Sequence, residues 1–254
     1  MRIITLNTWG GRALHPLMHF FKKYADSTDV FCLQEVFDVD QATLDARHPD
    51  EHVRGDLFKK ISAELPGFEG SFAYFDDVPS RQSLAIFFRG NLPVKTIGDV
   101  LVYVPPVPLE TGSHVLSSRK LQTLTLDHAG KELLIANFHG LWNGGPKTDA
   151  PERLEQSRKV RAAIDAHDGP KVLCGDFNLL PDTESLAIMA RGMRNMVAER
   201  GITSTRTPLY RKHDDPAEPK FADYMLLSPE LSVTTFEVLP DVVSDHAALR
   251  VEIQ

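Results

Sequence analysis

Hydrophobic positions along this chain gather into short tracts of strand length, at 2–6, 30–33, 69–74, 84–88, 94–104, 120–126, 132–138, 171–174, 224–227, 233–238 and 247–253. Several alternate apolar and polar residues with period two, as 121–126 does, whereas 85–88 is continuously apolar and reads as a strand covered on both faces. Asp127-His128-Ala129-Gly130, between two such tracts, reads as a hairpin loop. Helical spacing appears at Leu17, Phe20, Phe21 and Tyr24, at Leu57, Ile61 and Leu65, and at Leu154, Arg158, Arg161 and Ile164, the last stripe being only partly apolar. Strands that come in consecutive groups, with helices between some of them, predict an α+β domain of two packed sheets with outer helices rather than a regular βαβ repeat. The polar stretches 38–55, 140–152 and 203–220 read as long loops, which in a compact domain often carry function. No repeat, low-complexity tract or Pro/Gly/Ser-rich linker divides the chain, so one domain over residues 1–254 is expected.

The composition, 254 residues with 42% hydrophobic and 25% charged, provides for a substantial core. Charge sharpens the picture: 28 Lys and Arg stand against 35 Asp and Glu, a net −7 with a pI near 5.8. That balance argues against a broad basic face gripping long nucleic acid, while leaving a few local phosphate contacts possible. The first apolar run is too short for a secretory core of about 7–15 residues, and no stretch approaches the ~20 apolar residues that span a bilayer. A soluble cytoplasmic protein without a membrane span is therefore expected. Cys32 and Cys174, each inside an apolar run, read as reduced core thiols.

Candidate chemistry sits where the strands end. The tract at 3–6 ends at Asn7, 30–33 at Gln34-Glu35, 134–138 at His139 and 172–174 at Gly175-Asp176-Phe177-Asn178, and Ser244-Asp245-His246 precedes the last strand. A side chain just beyond a buried strand is held by a rigid scaffold yet faces a cleft. Singly, each has a plainer reading: Asn7 as a turn former, Glu35 and Asp245 as solvated carboxylates, Asp176 in an Asx turn, the histidines as structural. Together, the hard oxygens of Glu35, Asp176 and Asp245 with the Asn7 amide oxygen suit Mg²⁺, and two imidazoles could donate to phosphate oxygens. The residues alone thus point to a divalent-metal phosphoryl-transfer site.

The segments Leu6-Asn7-Thr8-Trp9, Leu33-Gln34-Glu35-Val36, Asn137-Phe138-His139, Gly175-Asp176-Phe177-Asn178, Ala222-Asp223-Tyr224-Met225 and Ser244-Asp245-His246 resemble, in order, the signature segments of the endonuclease/exonuclease/phosphatase superfamily with its deoxyribonuclease-I-like fold. The resemblance covers essentially the whole chain and implies a four-layer α/β sandwich, two mostly antiparallel sheets face to face with helices outside. It also implies roles. Glu35 and Asn7 would form the metal site for Mg²⁺, with Mn²⁺ as a substitute, and Asp245 would be a further ligand. Asp176 would orient or deprotonate the attacking water, and Asn178 would donate to the phosphate. His246, oriented by Asp223, would contact a non-bridging oxygen or act as base, and His139 would aid charge build-up or the leaving group. The acidic partner that pairs with the His139 position in some members is not fixed by the pattern; Glu110, Asp76 and Asp77 are candidates.

Substrate phosphate could meet Arg119, Lys147, Arg153 or Arg206, and the basic stretch Tyr210-Arg211-Lys212 could touch substrate, against the plainer reading of solvated faces. Trp9 and Trp142 could stack on a base or simply pack, and His48 and His52 read as a solvated loop rather than a transition-metal pair. The favoured function is a phosphodiesterase or nuclease acting on a short or terminal nucleic-acid phosphodiester. The alternative is a phosphatase or phosphodiesterase of a small phosphorylated metabolite, inositol phosphate or lipid head group. A catalytically silent binding module would gain if Glu35, Asp176, Asn178 or His246 were replaced, and none is. A monomer without an obligate protein partner is expected.

Overall fold

The computed structural model describes residues 1–47, 52–75, 82–105 and 117–254. In chain order the elements are β1 (Arg2–Asn7), α1 (Leu14–Tyr24), β2 (Val30–Val36), α2 (Gln41–Arg47), α3 (Leu57–Glu64), β3 (Phe68–Phe72), β4 (Ser83–Arg89), β5 (Val94–Tyr103), β6 (Arg119–His128), β7 (Lys131–His139), α4 (Pro151–Asp165), β8 (Lys171–Asp176), α5 (Glu184–Ala190), β9 (Arg194–Asn195), α6 (Met196–Glu199), β10 (Asp223–Leu227), β11 (Val233–Val238) and β12 (Leu249–Ile253). All eleven apolar tracts form strands; the twelfth, β9, is two residues long and too short to leave a pattern. The three spaced stripes lie on α1, α3 and α4, but in α4 the buried face is Arg153, Gln156, Ser157, Val160 and Ile164, so of the expected stripe 154/158/161/164 only Ile164 is buried and Arg158 is exposed. Three helices of four to seven residues, α2, α5 and α6, were not foreseen, and α2 lies inside the stretch 38–55 that reads as a loop. At that length a 3.6-residue period is barely sampled.

Two six-stranded sheets result, in the orders β11-β12-β1-β2-β4-β3 and β5-β6-β7-β8-β10-β9. Each holds one parallel pair at its centre, β1 with β2 and β7 with β8, flanked by antiparallel neighbours. Strand alternation sorts the faces. In β1 and β2, Ile3, Val30 and Cys32 enter the core between the sheets, while Ile4, Leu6, Phe31 and Leu33 turn outward to Leu17, Phe20 and Phe21 of α1 and Leu57 and Ile61 of α3. Val160 and Ile164 of α4 join the core of the second sheet. The sandwich with outer helices is thus the expected one, and Cys32 and Cys174 are free and buried in it.

Along the axis of the parallel pairs the space between the sheets changes character. The apolar layer of Ile3, Val30 and Cys32 gives way to a buried amide layer. Gln34 Nε2 donates to Asn137 Oδ1 at 2.7 Å and to Thr5 Oγ1 at 3.1 Å, and Asn137 Nδ2 donates to the Leu33 carbonyl at 3.0 Å and the Ala85 carbonyl at 3.2 Å. Asn137 thereby ties the second sheet to the backbone of the first. Two residues beyond Thr5, Asn137 and Cys174 on their strands come Asn7, His139 and Asp176. The C-terminal ends of both parallel pairs therefore converge on one edge of the sandwich.

Candidate active site

Local backbone geometry aims the side chains at that edge. Between Leu33 and Val36, β2 carries one more residue than β4 opposite it, where the register runs from Leu33↔Ala85 to Val36↔Ser83. Strict alternation would send Glu35 toward the helices with Phe31 and Leu33. The bulge, with Glu35 at φ +56°, instead turns both Gln34 and Glu35 inward. Trp9 and Asn178 also lie in the left-handed region, at φ +53° and +52°; such conformations collect where a site must be held in one shape. In Gly175-Asp176, a Cβ on Gly175 would stand 1.9 Å from the Phe138 carbonyl oxygen, so only glycine lets β8 close on β7.

Asp176 lies at the centre and is almost fully buried. Asn7 Nδ2 donates to Asp176 Oδ2 and to Glu35 Oε1, both at 3.0 Å, and the Asn178 backbone N–H donates to Asp176 Oδ1 at 2.9 Å. His246 Nε2 stands 3.5 Å from Asp176 Oδ2, and His139 Nε2 is 3.7 Å from the same oxygen. Behind His246, Nδ1 lies 2.9 Å from each oxygen of Asp223. Asp223 faces Asp176 directly across β10 and β8. Sequence reading missed two supports of this pair: Thr205 Oγ1, which accepts from the Asp223 N–H at 3.2 Å, and Ser244 Oγ, which accepts from the His246 N–H at 3.1 Å. Ser244 stands two residues before His246 in a segment already quoted, whereas Thr205 lies 18 residues from Asp223 in the polar stretch 203–220, and spacing carries no sign of that contact.

Electrostatics separates the groups. Burial pushes Asp176 upward, but His246, His139, Lys147 and Arg206 outweigh it and hold the carboxyl well below the usual range. Burial, then Arg119, holds His139 at about 3, so its ring is neutral at pH 7. Burial and Arg206 oppose protonation of His246, yet Asp223, Asp245 and Asp176 together raise its pKa. Glu35 is raised, first by burial and also by Asp245 and Asp176, against the Asn7 hydrogen bond.

A divalent cation fits the donor set. Among the described residues Asp245 Oδ1 is buried without a hydrogen-bond partner, while its Oδ2 accepts from Arg206 Nη1 at 3.0 Å. Glu35 is crowded by two like charges that a cation would relieve. Asn7 is placed differently from the expectation: its Oδ1 accepts the Trp9 N–H at 2.9 Å, so it presents N–H groups to the carboxylates and bridges Glu35 to Asp176. Asp176, Asp223 and His246 also offer ligand atoms within 4.8 Å of one another, but both Asp223 oxygens already meet His246 Nδ1.

The edge opens into a cleft of about 670 Å³ whose lining includes Arg119, Lys147 and Arg206. Arg119 is buried, donating from Nε to the Gly140 carbonyl at 3.2 Å. Arg153 does not reach the cleft. It is buried on the inner face of α4 and is consumed by the Leu141, Pro146 and Thr148 carbonyls and by Asn143 Oδ1, so it braces the 141–148 loop instead of meeting substrate. Asn178 Nδ2 donates to the Gly140 carbonyl at 3.3 Å and keeps a second N–H. Trp9 and Trp142, the latter 41% exposed, also line the cleft. His52 is exposed; His48, Asp76, Asp77 and Glu110 lie outside the described residues. No helix among the described residues is long and apolar enough to cross a membrane.

No curated protein sequence matches the chain. Solved structures do match its fold. An endonuclease/exonuclease/phosphatase family protein from Bacteroides thetaiotaomicron aligns over 100% of this chain and 94% of its own, with 20% identity and a TM-score of 0.72. The mannosyl-6-phosphatase of the same species aligns over 100% and 99%, with 20% identity and a TM-score of 0.71. A humanized Danio rerio TDP2 aligns over 100% and 98%, with 15% identity and a TM-score of 0.71. The sequence profile of the Endonuclease/Exonuclease/phosphatase family matches residues 4–246, nearly the entire chain, and spans every segment that builds this cleft. The chain therefore belongs to the endonuclease/exonuclease/phosphatase family of phosphoester hydrolases.

Proposed function

We propose that this chain hydrolyses a compact phosphoester with the help of a divalent cation held by Glu35 and Asp245. The observation that carries the reading is Asp176 set between two imidazoles of opposite character, one kept neutral and one made easier to protonate, in a cleft lined by cations. When bound, the cation supplies positive charge for the phosphate oxygens. Asp223 accepts from Nδ1–H of His246 and fixes the ring so that Nε2 faces the cleft, where it can donate to a non-bridging oxygen. Asp176 remains an anion. A carboxylate so stabilised is a poor proton acceptor, so its task is to orient the attacking water rather than to strip it. The neutral His139 donates one N–H toward the reacting phosphate, and the second N–H of Asn178 does the same.

Substrate size follows from the walls. At about 670 Å³ the cleft lies in the range of small-ligand sites, roughly 300–1,000 Å³. A strand end or short oligonucleotide fits, and so does a small phosphorylated metabolite. The second is supported further by the mannosyl-6-phosphatase, whose fold this chain shares over its full length. A panel of single- and double-stranded DNA, RNA, nucleotides, sugar and inositol phosphates and bis-p-nitrophenyl phosphate, with Mg²⁺, Mn²⁺ or EDTA, tests the reading. Hydrolysis is expected with Mg²⁺ or Mn²⁺ and should vanish in EDTA, with Glu35→Gln weakening the metal response. Full activity of metal-stripped protein would overturn the cation role.

A further inference from the structure

Away from Asp176 and His246, the same cleft carries cations that the hydrolytic centre leaves unused. Lys147 is half-buried; its Nζ donates to the Phe221 carbonyl at 3.2 Å, and among the described residues no carboxylate lies within ion-pair distance. Burial, then Arg206, draws its pKa down to about 8. It lines the cleft together with Asp176 and Asp245 of the reacting centre and with Arg211, Lys212 and Glu218 of the 210–218 wall, and it acts electrostatically on carboxylates of both. On that wall Arg211 is exposed to the cleft and, among the described residues, makes no hydrogen bond or ion pair. Lys212 beside it pairs with Glu218 Oε2 at 2.8 Å.

The wall is braced. Tyr210 Oη donates to Glu218 Oε1 at 2.7 Å, and Lys220 Nζ donates to the carbonyls of Lys212 and Asp215, both at 2.9 Å. A chain of net charge −7 has ample carboxylates, yet among the described residues none forms a direct ion pair with Lys147 or Arg211. A partly desolvated ammonium with carboxylates near it but none in direct contact is better satisfied when an anion arrives. In the proposed reading the scissile phosphate is met by His246, His139 and Asn178, and Arg206 is paired with Asp245. We therefore infer that Lys147 and Arg211, with Lys212 beside them, form a second anion subsite, and that the substrate carries a second phosphate remote from the scissile ester.

The inference rests on the hydrolase reading and identifies the substrate as a bisphosphorylated sugar or nucleotide. Its test compares kcat/KM, with Mg²⁺ at pH 7, for glucose 6-phosphate against glucose 1,6-bisphosphate and for adenosine 5′-monophosphate against adenosine 3′,5′-bisphosphate. Bis-p-nitrophenyl phosphate serves as a generic ester. The wild type should favour one bisphosphate over its monophosphate, and the pair that shows the preference identifies the carrier. Arg211→Ala and Lys147→Met should each lower that ratio about tenfold, through KM rather than kcat. Arg211 is exposed, so its variant tests the subsite even if Lys147→Met disturbs folding. No preference in either pair, a ratio unchanged in both variants, or hydrolysis of the generic ester with both bisphosphates refused would overturn the subsite while leaving the hydrolase reading intact. Failure to hydrolyse any of these five compounds while a member of the wider panel is cleaved would overturn the subsite alone, and failure across the whole panel with Mg²⁺ would overturn the hydrolase reading and the subsite with it.

Discussion

Single side chains in this site take their properties from their neighbours more than from their own chemistry. Asp176 accepts from Asn7 and the Asn178 backbone, sits 3.5 Å from His246 and is held ionised by surrounding positive charge. His246 is in turn held by Asp223. Removing either positioned group should lower kcat by about 10²–10⁴. Because both act on one water and one phosphate, the Asp176→Asn/His246→Ala double variant should lose less than the product of the single losses. Steady-state kinetics on the best substrate checks this; near-native turnover in both single variants would show that the centre lies elsewhere. Lys147 makes a separate prediction. Its pKa, drawn down to about 8 by burial and Arg206 against Asp176, Asp223 and Asp245, means that the ammonium is present at pH 7 and lost by pH 9. Affinity for an anion at Lys147 should therefore fall as pH rises through 8, and Lys147→Arg, which stays charged, should flatten the KM profile over that range. His139, already neutral, and Glu218, already ionised, contribute no step there, and any step from His246, whose pKa is raised, is common to the wild type and Lys147→Arg, so the difference between the two KM profiles isolates Lys147.

At the scale of elements, what the sequence discloses and what it hides divide along one line. Strands 84–88 and 121–126 are legible because apolar continuity and alternation are local properties, and Asn7, Glu35, His139, Asp176 and His246 are legible because each stands next to such a strand. Arg153 is misread for the opposite reason. It lies outside the stripe 154/158/161/164, on a buried face shared with Gln156, Ser157, Val160 and Ile164, and nothing within the helix discloses that Leu141, Pro146 and Thr148 turn their carbonyls back onto it. The β2 bulge that redirects Glu35, and the Trp9 N–H that turns the Asn7 amide, likewise depend on partners outside the local pattern. Arg153 thus belongs to loop architecture, and its loss should appear as instability. Arg153→Ala leaves several buried oxygens without donors and should cost about 2–4 kcal/mol in chemical denaturation. Arg158→Ala, on the exposed face of the same helix, should stay within about 0.5 kcal/mol. Equal stability of the two variants would return Arg153 to the list of candidate substrate contacts.

For the molecule as a whole, the net charge hides a segregation. The cleft holds six cations, Arg12, Arg119, Lys147, Arg206, Arg211 and Lys212, against the four carboxylates Glu35, Asp176, Glu218 and Asp245. Removing these from the chain's 28 basic and 35 acidic residues leaves 22 and 31, so the rest of the chain carries −9 around a cleft of +2. A local anion is drawn in while an extended polyanion is repelled by everything beyond the rim. Arg206 and Lys212 are already paired with Asp245 and Glu218, so substrate phosphates are expected to make about two to four contacts in the cleft. A protein that tracks duplex makes about 6–10 phosphate contacts and loses about 10³–10⁵ in affinity between 50 and 200 mM salt. With two to four contacts the same relation gives a loss of only about 10- to 150-fold. Measuring kcat/KM across that salt range for a long DNA duplex and for a short oligonucleotide distinguishes the cases. A shallow slope for the oligonucleotide with no gain from duplex length is expected. A steep slope with strong preference for the long duplex would mean that surface outside the cleft engages the backbone despite its charge.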